Sequence, residues 1–275
     1  MDGAALDVTA DGPEASDGPA FWVEAVEHVS GGGEASVVLQ AGDAWSLLGA
    51  WRARRQYTWA AGEENVFGIL SFLFARAGLE LSSSGGSAEA ANLYPAFAVH
   101  PGESGLTAVS RLLALLPDVI LVRGEFAFLK EPLAGESVAY GYGVDHALLS
   151  GRYRSAAAES NRAQVFGEGV FGEGLDWAGV EAVYDRLAQV QDPNLTTVSE
   201  VEDRAAAVLR KAALAAENGE ITAPVNCGQE PYDVIEVTDA PAGLAAAKRR
   251  VLGLALRYST GEQPAYEQRL RLGGV

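Results

Sequence analysis

The sequence predicts an α+β fold, with helices and short strands in the first half and a long helix followed by three strands at the end. Apolar residues repeat at three- and four-residue spacing over 64–79 and over 106–116, which is typical of helices with one buried face. Segments 232–238, 250–258 and 266–272 predict strands. Because 48% of the 275 residues are hydrophobic, the chain can bury a large core.

Composition excludes several classes of protein. The single cysteine, Cys227, cannot form a disulfide within the chain or supply a Cys-x-x-Cys zinc motif. The histidines, His28, His100 and His146, are far apart in the sequence, which argues against a histidine-rich metal site. The net charge of −17, from 37 acidic and 20 basic residues, disfavours wrapping of DNA through its phosphates.

The acidic charge is concentrated near the start of the chain. Residues 1–51 contain nine acidic residues and no lysine or arginine. We interpret residues 1–20 as an acidic N-terminal segment, a solvated tail or loop, because they are also poor in apolar side chains. This segment has neither the basic start nor the apolar stretch of a secretory signal. The most apolar run, 66–78, is shorter than the ~20 residues of a membrane-spanning helix, so no membrane insertion is expected.

Residues 21–40 predict a β-hairpin. Two runs of alternating apolar and polar residues, 21–29 and 35–40, lie on either side of three consecutive glycines. Glycines between alternating runs favour a turn that joins two antiparallel strands.

Residues 41–59 combine arginines with aromatic side chains. The arginines are Arg52, Arg54 and Arg55, and the aromatic residues are Trp45, Trp51, Tyr57 and Trp59. Interleaved arginines and aromatics bind nucleic acid in some proteins. Arginine more often covers an aromatic face or pairs with a carboxylate, and we expect that role in so acidic a chain. The aromatic residues predict either part of the core or a subunit interface, where aromatics are enriched.

We assign residues 41–150 to one α/β domain. Besides the two helices, it contains a loop of small residues, a short strand and a hairpin. These are 81–91, 96–100, and 119–123 with 125–129. Pro117 ends the second helix, and Gly124 lies at the turn of the hairpin.

Residues 151–275 predict a C-terminal domain that is a sheet or small β-barrel. Two strand-like pieces lie within 152–166, and helices are expected over 176–190 and 199–218, so that 176–218 forms a helical insertion. Ser199 and Glu202 match a capping box for the longer helix. In the last strand, Tyr266, Gln268, Leu270 and Leu272 are expected to share one face.

Two motifs resemble catalytic or cofactor-binding signatures. Gly167–Gly172 fits the Gly-x-Gly-x-x-Gly pattern of dinucleotide-binding folds. Glu168 places a negative charge where a pyrophosphate would lie, so we interpret the glycines as a tight loop. Ser104 lies in a partial nucleophile-elbow pattern, but residue 106 is leucine where glycine is needed. We therefore interpret Ser104 as a helix N-cap.

The remaining polar clusters are equally unspecific. Asp145 and His146 have no nucleophile nearby in sequence, so His146 is interpreted as a hydrogen-bonded structural residue. Glu159 and Asp118 could serve as a glycosidase pair, but with 37 acidic residues such pairs occur by chance. The acids of 233–239 lack the order of an EF-hand calcium loop. The sequence predicts no catalytic, cofactor-binding or metal-binding residues.

The order of aromatic, turn and helix motifs over residues 35–275 resembles a known family. The segments that carry this resemblance are 43–59, 76–79, 102–116, 161–167, 227–239, 249–253 and 266–273. Their succession is similar to the late-control-D-like tail hub or baseplate hub proteins of tailed bacteriophages and related injection machines.

The resemblance implies a hub-like fold of small β-barrel-like domains with an α/β insert domain. It also implies a structural protein of the virion tail, assembled in the host cytoplasm as a homotrimeric ring. Such a ring adapts the tail tube to the central spike or tip, and its channel holds the tape-measure protein and then DNA. Only about 40 residues precede the Asp43 segment, where the family has a complete first barrel. Either this barrel is reduced, with 21–40 as its remnant, or another chain supplies it.

The excess of carboxylates fits a DNA conduit, because acids on the channel wall repel phosphates within the Debye length of about 8–10 Å. We expect an acidic channel, no specific nucleic-acid binding and no enzymatic activity. Two alternatives remain open. One is a tail-associated hydrolase that acts on the cell wall, and the other is a non-viral binding module.

Overall fold

The computed structural model describes residues 4–9, 12–17, 20–133, 135–260 and 264–275. The chain divides into two compact units, Met1–Glu131 and Pro132–Val275. Both units combine helices with mainly antiparallel strands, so the predicted α+β class is confirmed. No helix in the described residues is long and apolar enough to cross a membrane.

Unit 1 begins with two strand pairs. The strands are β1 (Ala4–Thr9), β2 (Gly12–Asp17), β3 (Trp22–Gly31) and β4 (Glu34–Gly42). β1 pairs with β2, where the sequence predicted a tail or loop, and residues 1–3, 10–11 and 18–19 of that segment lie outside the described residues. β3 pairs with β4 through a turn at Gly32 and Gly33, which confirms the predicted hairpin.

The rest of unit 1 is built around one buried helix. Its elements are α1 (Ala44–Ala50), β5 (Tyr57–Trp59), α2 (Val66–Arg76), β6 (Glu80–Ser82), α3 (Ala88–Asn92), β7 (Phe97–Val99), α4 (Gly105–Leu113), β8 (Val119–Arg123) and β9 (Phe126–Lys130). The predicted apolar face of α2 is buried, α3 and α4 pack against this helix, and α1 packs against α4. β8 and β9 form the predicted hairpin, which β6 extends to three strands.

Unit 2 contains a six-stranded sheet. Its strands are β10 (Val138–Tyr142), β11 (Ser150–Ser155), β15 (Glu217–Pro224), β16 (Val234–Asp239), β17 (Leu244–Ser259) and β18 (Ala265–Gly273). They lie in the order β10-β16-β17-β18-β15-β11. β10 pairs with β16, which belongs to the C-terminal part of the chain. The unit therefore begins before residue 150, the position at which the sequence placed the domain boundary.

The sheet is strongly curled. β10 and β11 are its two edges, although only residues 143–149 connect them. Gly143 donates a backbone hydrogen bond to His146, so the first half of this link is a tight turn. The four residue steps that remain extend at most ~14 Å, whereas the edges of a flat six-stranded sheet are ~24 Å apart. The link therefore requires the sheet to curve into a half-barrel.

An α/β layer is inserted between the neighbouring strands β11 and β15. It consists of β12 (Arg162–Phe166), β13 (Phe171–Leu175), α5 (Trp177–Val183), β14 (Leu187–Gln191) and α6 (Val198–Ala216). The strands form a sheet in the order β13-β12-β14, and α6 packs against β12 and β13.

Two predictions about this insertion are wrong in detail. The helix expected over 176–190 ends at Val183, and 187–191 form β14, parallel to β12. Tyr184 has a φ of 64°, which stops the helix, and its carbonyl accepts a hydrogen bond from Asn161 at 2.7 Å. The capping box of α6 is formed by Thr197 and Glu200 instead of Ser199 and Glu202.

The concave face of the half-barrel carries the core of unit 2. Its members come from five strands of the sheet, and those at least 99% buried include Tyr142, Ile221, Ile235, Val237, Val251, Leu270 and Leu272. Gln268, Leu270 and Leu272 are buried as the alternation in β18 predicted, whereas Tyr266 is 62% exposed. The alternation therefore identifies the buried face only where the strand lies over the core.

Candidate functional site

The Gly167–Gly172 motif is the turn of a β-hairpin. Gly167 donates a backbone hydrogen bond to Val170 at 2.9 Å, and β12 and β13 pair on either side. The segment after the last glycine is a strand, not the helix that a dinucleotide fold requires. Gly172 lies against α6, where an added Cβ would come 2.7 Å from Val201. Packing against α6 therefore explains Gly172. The turn itself agrees with the tight-loop interpretation of the motif.

Ser104 and His146 have structural roles. Ser104 is the N-cap of α4, and its hydroxyl accepts a hydrogen bond from the Thr107 backbone at 3.0 Å. His146 lies beside the rings of Tyr140 and Tyr142, with ring centres 5.5 Å apart in both cases. Its backbone closes the turn that follows β10.

The acidic residues singled out in the sequence lie in different parts of the structure and have different surroundings. Asp118 is 2% exposed and accepts hydrogen bonds from the backbone and hydroxyl of Ser87. Glu159 belongs to the other unit and is exposed. Asp233 accepts hydrogen bonds from the Glu230 backbone and the Gln229 side chain, both at 2.9 Å. Within the described ranges, no three His, Cys, Asp or Glu side chains are grouped so as to hold a metal ion.

A buried polar network lies at one edge of the half-barrel. Gln268 donates a hydrogen bond to the Tyr142 hydroxyl at 2.8 Å, and that hydroxyl donates to Gln229 at 2.9 Å. Burial raises the pKa of Tyr142, so its hydroxyl stays protonated and continues to donate. The network joins β10, β18 and the loop before β16. Gln268 was predicted to face inward, but its partners on distant segments were not visible in the sequence.

The aromatic residues of 41–59 pack around α2. Trp45 meets Phe74 with ring centres 6.4 Å apart, while Tyr57 and Trp59 meet Phe72 at 5.0 and 5.3 Å. All three remain partly exposed. These side chains contribute to the core of unit 1, and the alternative role at a subunit interface stays a prediction.

Arginines surround the exposed side of this aromatic cluster. Arg55 and Arg76 lie over the ring of Tyr57, with guanidinium carbons 5.2 and 5.6 Å from its centre. Beside them is a pocket of about 580 Å³, lined by Trp51, Arg52, Arg54, Tyr57 and Arg76, which we call the arginine pocket. The sequence predicted that arginine would cover aromatic faces. It did not predict the contribution of Arg76, which comes from the end of α2.

Comparison with known proteins gives matches at the level of structure. No protein family model matches the chain, and no curated protein matches its sequence. A tail protein from Neisseria meningitidis MC58 superimposes with a TM-score of 0.71 and 11% identity, over 95% of this chain and 81% of that one.

Two prophage proteins give similar results. The 43 kDa tail protein of prophage MuSo2 from Shewanella oneidensis has a TM-score of 0.63 and 11% identity, over 94% of this chain and 76% of that one. Prophage tail protein gp18 from Listeria monocytogenes EGD-e has a TM-score of 0.61 and 12% identity, over 94% and 77%. The chain therefore shares its fold with solved phage tail proteins.

Proposed function

We propose that this protein is a structural component of a phage tail or a related injection particle, and that it forms the tail or baseplate hub. The supporting observation is the shared fold, which extends over at least 94% of the chain in the three tail proteins compared. The order of sequence motifs, which resembles that of hub proteins, leads independently to the same class.

The proposed hub is a homotrimeric ring. Each copy contributes its half-barrel and its α/β layers to a ring that adapts the tail tube protein to the spike or tip protein. Exposed apolar side chains support subunit contacts, because isolated soluble chains rarely leave such patches uncovered. At the far end of the β17–β18 hairpin, Leu256, Tyr258 and Tyr266 are 62%, 74% and 62% exposed.

The proposed role is mechanical, with no chemical step. The ring surrounds a channel for the tape-measure protein and then DNA, and it carries no cofactor. A net charge of −17 favours such a conduit, since an acidic wall does not trap phosphates. A map of the assembled particle that places lysines and arginines along the channel wall would remove this part of the proposal.

The location of the protein in purified particles tests the proposal. We expect antibodies to the chain to label the end of the tail tube in electron micrographs. Light scattering of the purified protein should give a mass near three times 28.8 kDa. Label that is absent from particles contradicts the tail role. A stable dimer in solution contradicts the trimeric ring, because three-fold closure does not contain a two-fold contact.

A further inference from the structure

The arginine pocket is a positive site whose described lining contains no acidic side chain. Among the described residues, Arg52, Arg54, Arg55 and Arg76 form no ion pair with a carboxylate, in a chain that has 37 acidic residues. Three arginines line the pocket, and Arg55 lies over the same Tyr57 ring as Arg76, so several like charges repel one another in this region. A bound anion would relieve this repulsion.

The chemistry of the pocket favours carboxylates. A guanidinium that lies over an aromatic ring keeps its N–H groups free at the edge, where they donate two parallel hydrogen bonds to one carboxylate. The partly buried rings of Trp51 and Tyr57 also lower the local exposure to water, which strengthens such a pair.

The β3–β4 hairpin, which we call the acidic arm, exposes carboxylates and, among the described residues, has no partner strand beyond its own two strands. Its strands pair with each other and with no other described strand. By register, Val26, Val37 and Leu39 share one face, and they are 51%, 56% and 46% exposed. Glu27 and Glu34 lie on the other face, which also carries Val29 and Val38, and all four side chains are exposed. An isolated two-stranded ribbon is marginally stable in water, so the arm requires a partner surface.

We propose that the arginine pocket of one copy binds the acidic face of the arm of a second copy, through Glu27 and Glu34. The inference rests on the proposed hub, for which it names the contact between neighbouring subunits. Each chain supplies one arm and one pocket, which are different surfaces. Such a head-to-tail contact generates a closed ring when the rotation between copies is suitable. Charge complementarity favours this occupant, because residues 1–51 contain acidic residues and no lysine or arginine.

Nucleic acid is the competing occupant of a site made of arginines and aromatics. The net charge of −17 opposes the approach of a polyanion, whereas it does not prevent a local contact between an acidic arm and a basic pocket. If nucleic acid occupied the pocket, the exposed carboxylates of Glu27 and Glu34 would stay without a basic partner surface.

Charge reversal on the full chain tests the contact. Arg54→Glu with Arg76→Glu alters the pocket, and Glu27→Arg with Glu34→Arg alters the arm. The matched control is Arg123→Glu, which changes an exposed arginine that lies over Phe128 in the same unit. Self-association is measured by sedimentation, and circular dichroism shows whether each variant is folded.

We expect each pair of substitutions to weaken self-association by about tenfold or more, since charged contacts at an interface centre are often dominant. The control leaves association unchanged, and the chain with all four reversals associates again. Raising the salt concentration from ~0.15 to ~1 M shortens the Debye length from about 8 to about 3 Å and weakens the wild-type association.

Other results overturn the inference. A trimer that persists in both paired variants shows that another surface joins the subunits, and the proposed hub stands. A wild-type chain that stays monomeric at its highest soluble concentration excludes the arm contact, while particle labelling still tests the hub separately. Binding of a labelled single-stranded oligonucleotide that the pocket substitutions abolish, with no change in self-association, assigns the pocket to nucleic acid.

Discussion

Arg250 and Glu136 form an ion pair with a nitrogen–oxygen distance of 3.0 Å, although they are 114 positions apart in the sequence. The Arg250 side chain is fully buried. It also donates hydrogen bonds to the carbonyls of Tyr232 at 2.8 Å and Leu133 at 2.7 Å. A single arginine of β17 therefore holds the start of unit 2 against its six-stranded sheet.

Replacing Arg250 should strongly destabilise unit 2. Arg250→Ala leaves the carbonyls of Leu133 and Tyr232 without this donor and opens a cavity, so we expect a loss of about 3–5 kcal/mol of unfolding free energy. Urea unfolding followed by circular dichroism measures it. Arg257→Ala is the control, because the exposed Arg257–Glu267 pair contributes at most about 1 kcal/mol. Equal effects of the two substitutions would contradict the role of Arg250.

Substitutions at Gly143 and Gly169 distinguish the cost of a left-handed backbone from the cost of steric crowding. Both have positive φ values, 91° and 71°, that other residues rarely adopt. A Cβ on Gly143 would lie 1.9 Å from the Thr238 carbonyl oxygen, whereas nothing lies within 4 Å of one on Gly169. We expect Gly169→Ala to cost about 1–2 kcal/mol from the left-handed backbone alone. Gly143→Ala should cost at least about 1–3 kcal/mol more from overpacking.

Thermal unfolding of the two glycine variants, read by calorimetry, gives this comparison directly. If Gly143→Ala melts at the same temperature as Gly169→Ala, the close approach between β16 and the turn after β10 is absent in solution.

The Tyr142 hydroxyl should contribute to stability through its two glutamine partners. Tyr142→Phe leaves the Gln268 amide without an acceptor and the Gln229 oxygen without a donor, at a cost of about 1–3 kcal/mol. Tyr258→Phe provides the control, because Tyr258 is 74% exposed and should be replaceable without loss. Chemical denaturation of both variants compares their unfolding free energies. If Tyr142→Phe does not change the stability, water replaces the hydroxyl.

Glu200 should make the stability of α6 depend on pH. Burial raises the pKa of Glu200, but hydrogen bonds from the Thr196 and Thr197 backbones outweigh it and hold the pKa below its ordinary value of 4.5. A carboxylate with a lowered pKa stabilises the folded state fully above the ordinary value, and this stabilisation is lost as the pH falls below it. Glu200→Ala should therefore cost about 1 kcal/mol at neutral pH and less in acid.

Glu202→Ala is the matched control for the pH experiment, since Glu202 is exposed on the same helical turn and belongs to no capping box in the structure. Unfolding free energies of both variants at neutral and acidic pH are compared. If the stability lost on substitution depends on pH at Glu202 and not at Glu200, the capping box is that of Ser199 and Glu202, which the sequence suggested.

Local patterns predicted most helices and the hairpins correctly. The apolar spacing of α2 and the Ser104 cap of α4 depend on residues within a few positions of one another, and both are found in the structure. The capping box of α6 was misplaced by two residues, because Thr197 with Glu200 and Ser199 with Glu202 both fit the pattern. In the structure Glu200 also accepts a hydrogen bond from the Thr196 backbone, which precedes the helix.

The candidate site was predicted only in part. The arginines of 52–55 and their aromatic neighbours were recognised, because they are adjacent in the sequence. Arg76 joins them through the packing of α2 against Tyr57, and this contact has no local signal. The face of the arm that is acidic was likewise set by the register of β3 with β4.

The sequence by itself determined the α+β class, the acidic N-terminal part, the main helices and the C-terminal strands. It did so because these properties follow from composition and from the spacing of neighbouring residues. Only the tertiary structure decided that 187–191 form a strand, that β10 extends the C-terminal sheet and that the sheet curls. Strand pairing is satisfied by partners distant in the chain, so the same short apolar segment can form a helix or a strand until its neighbour is known.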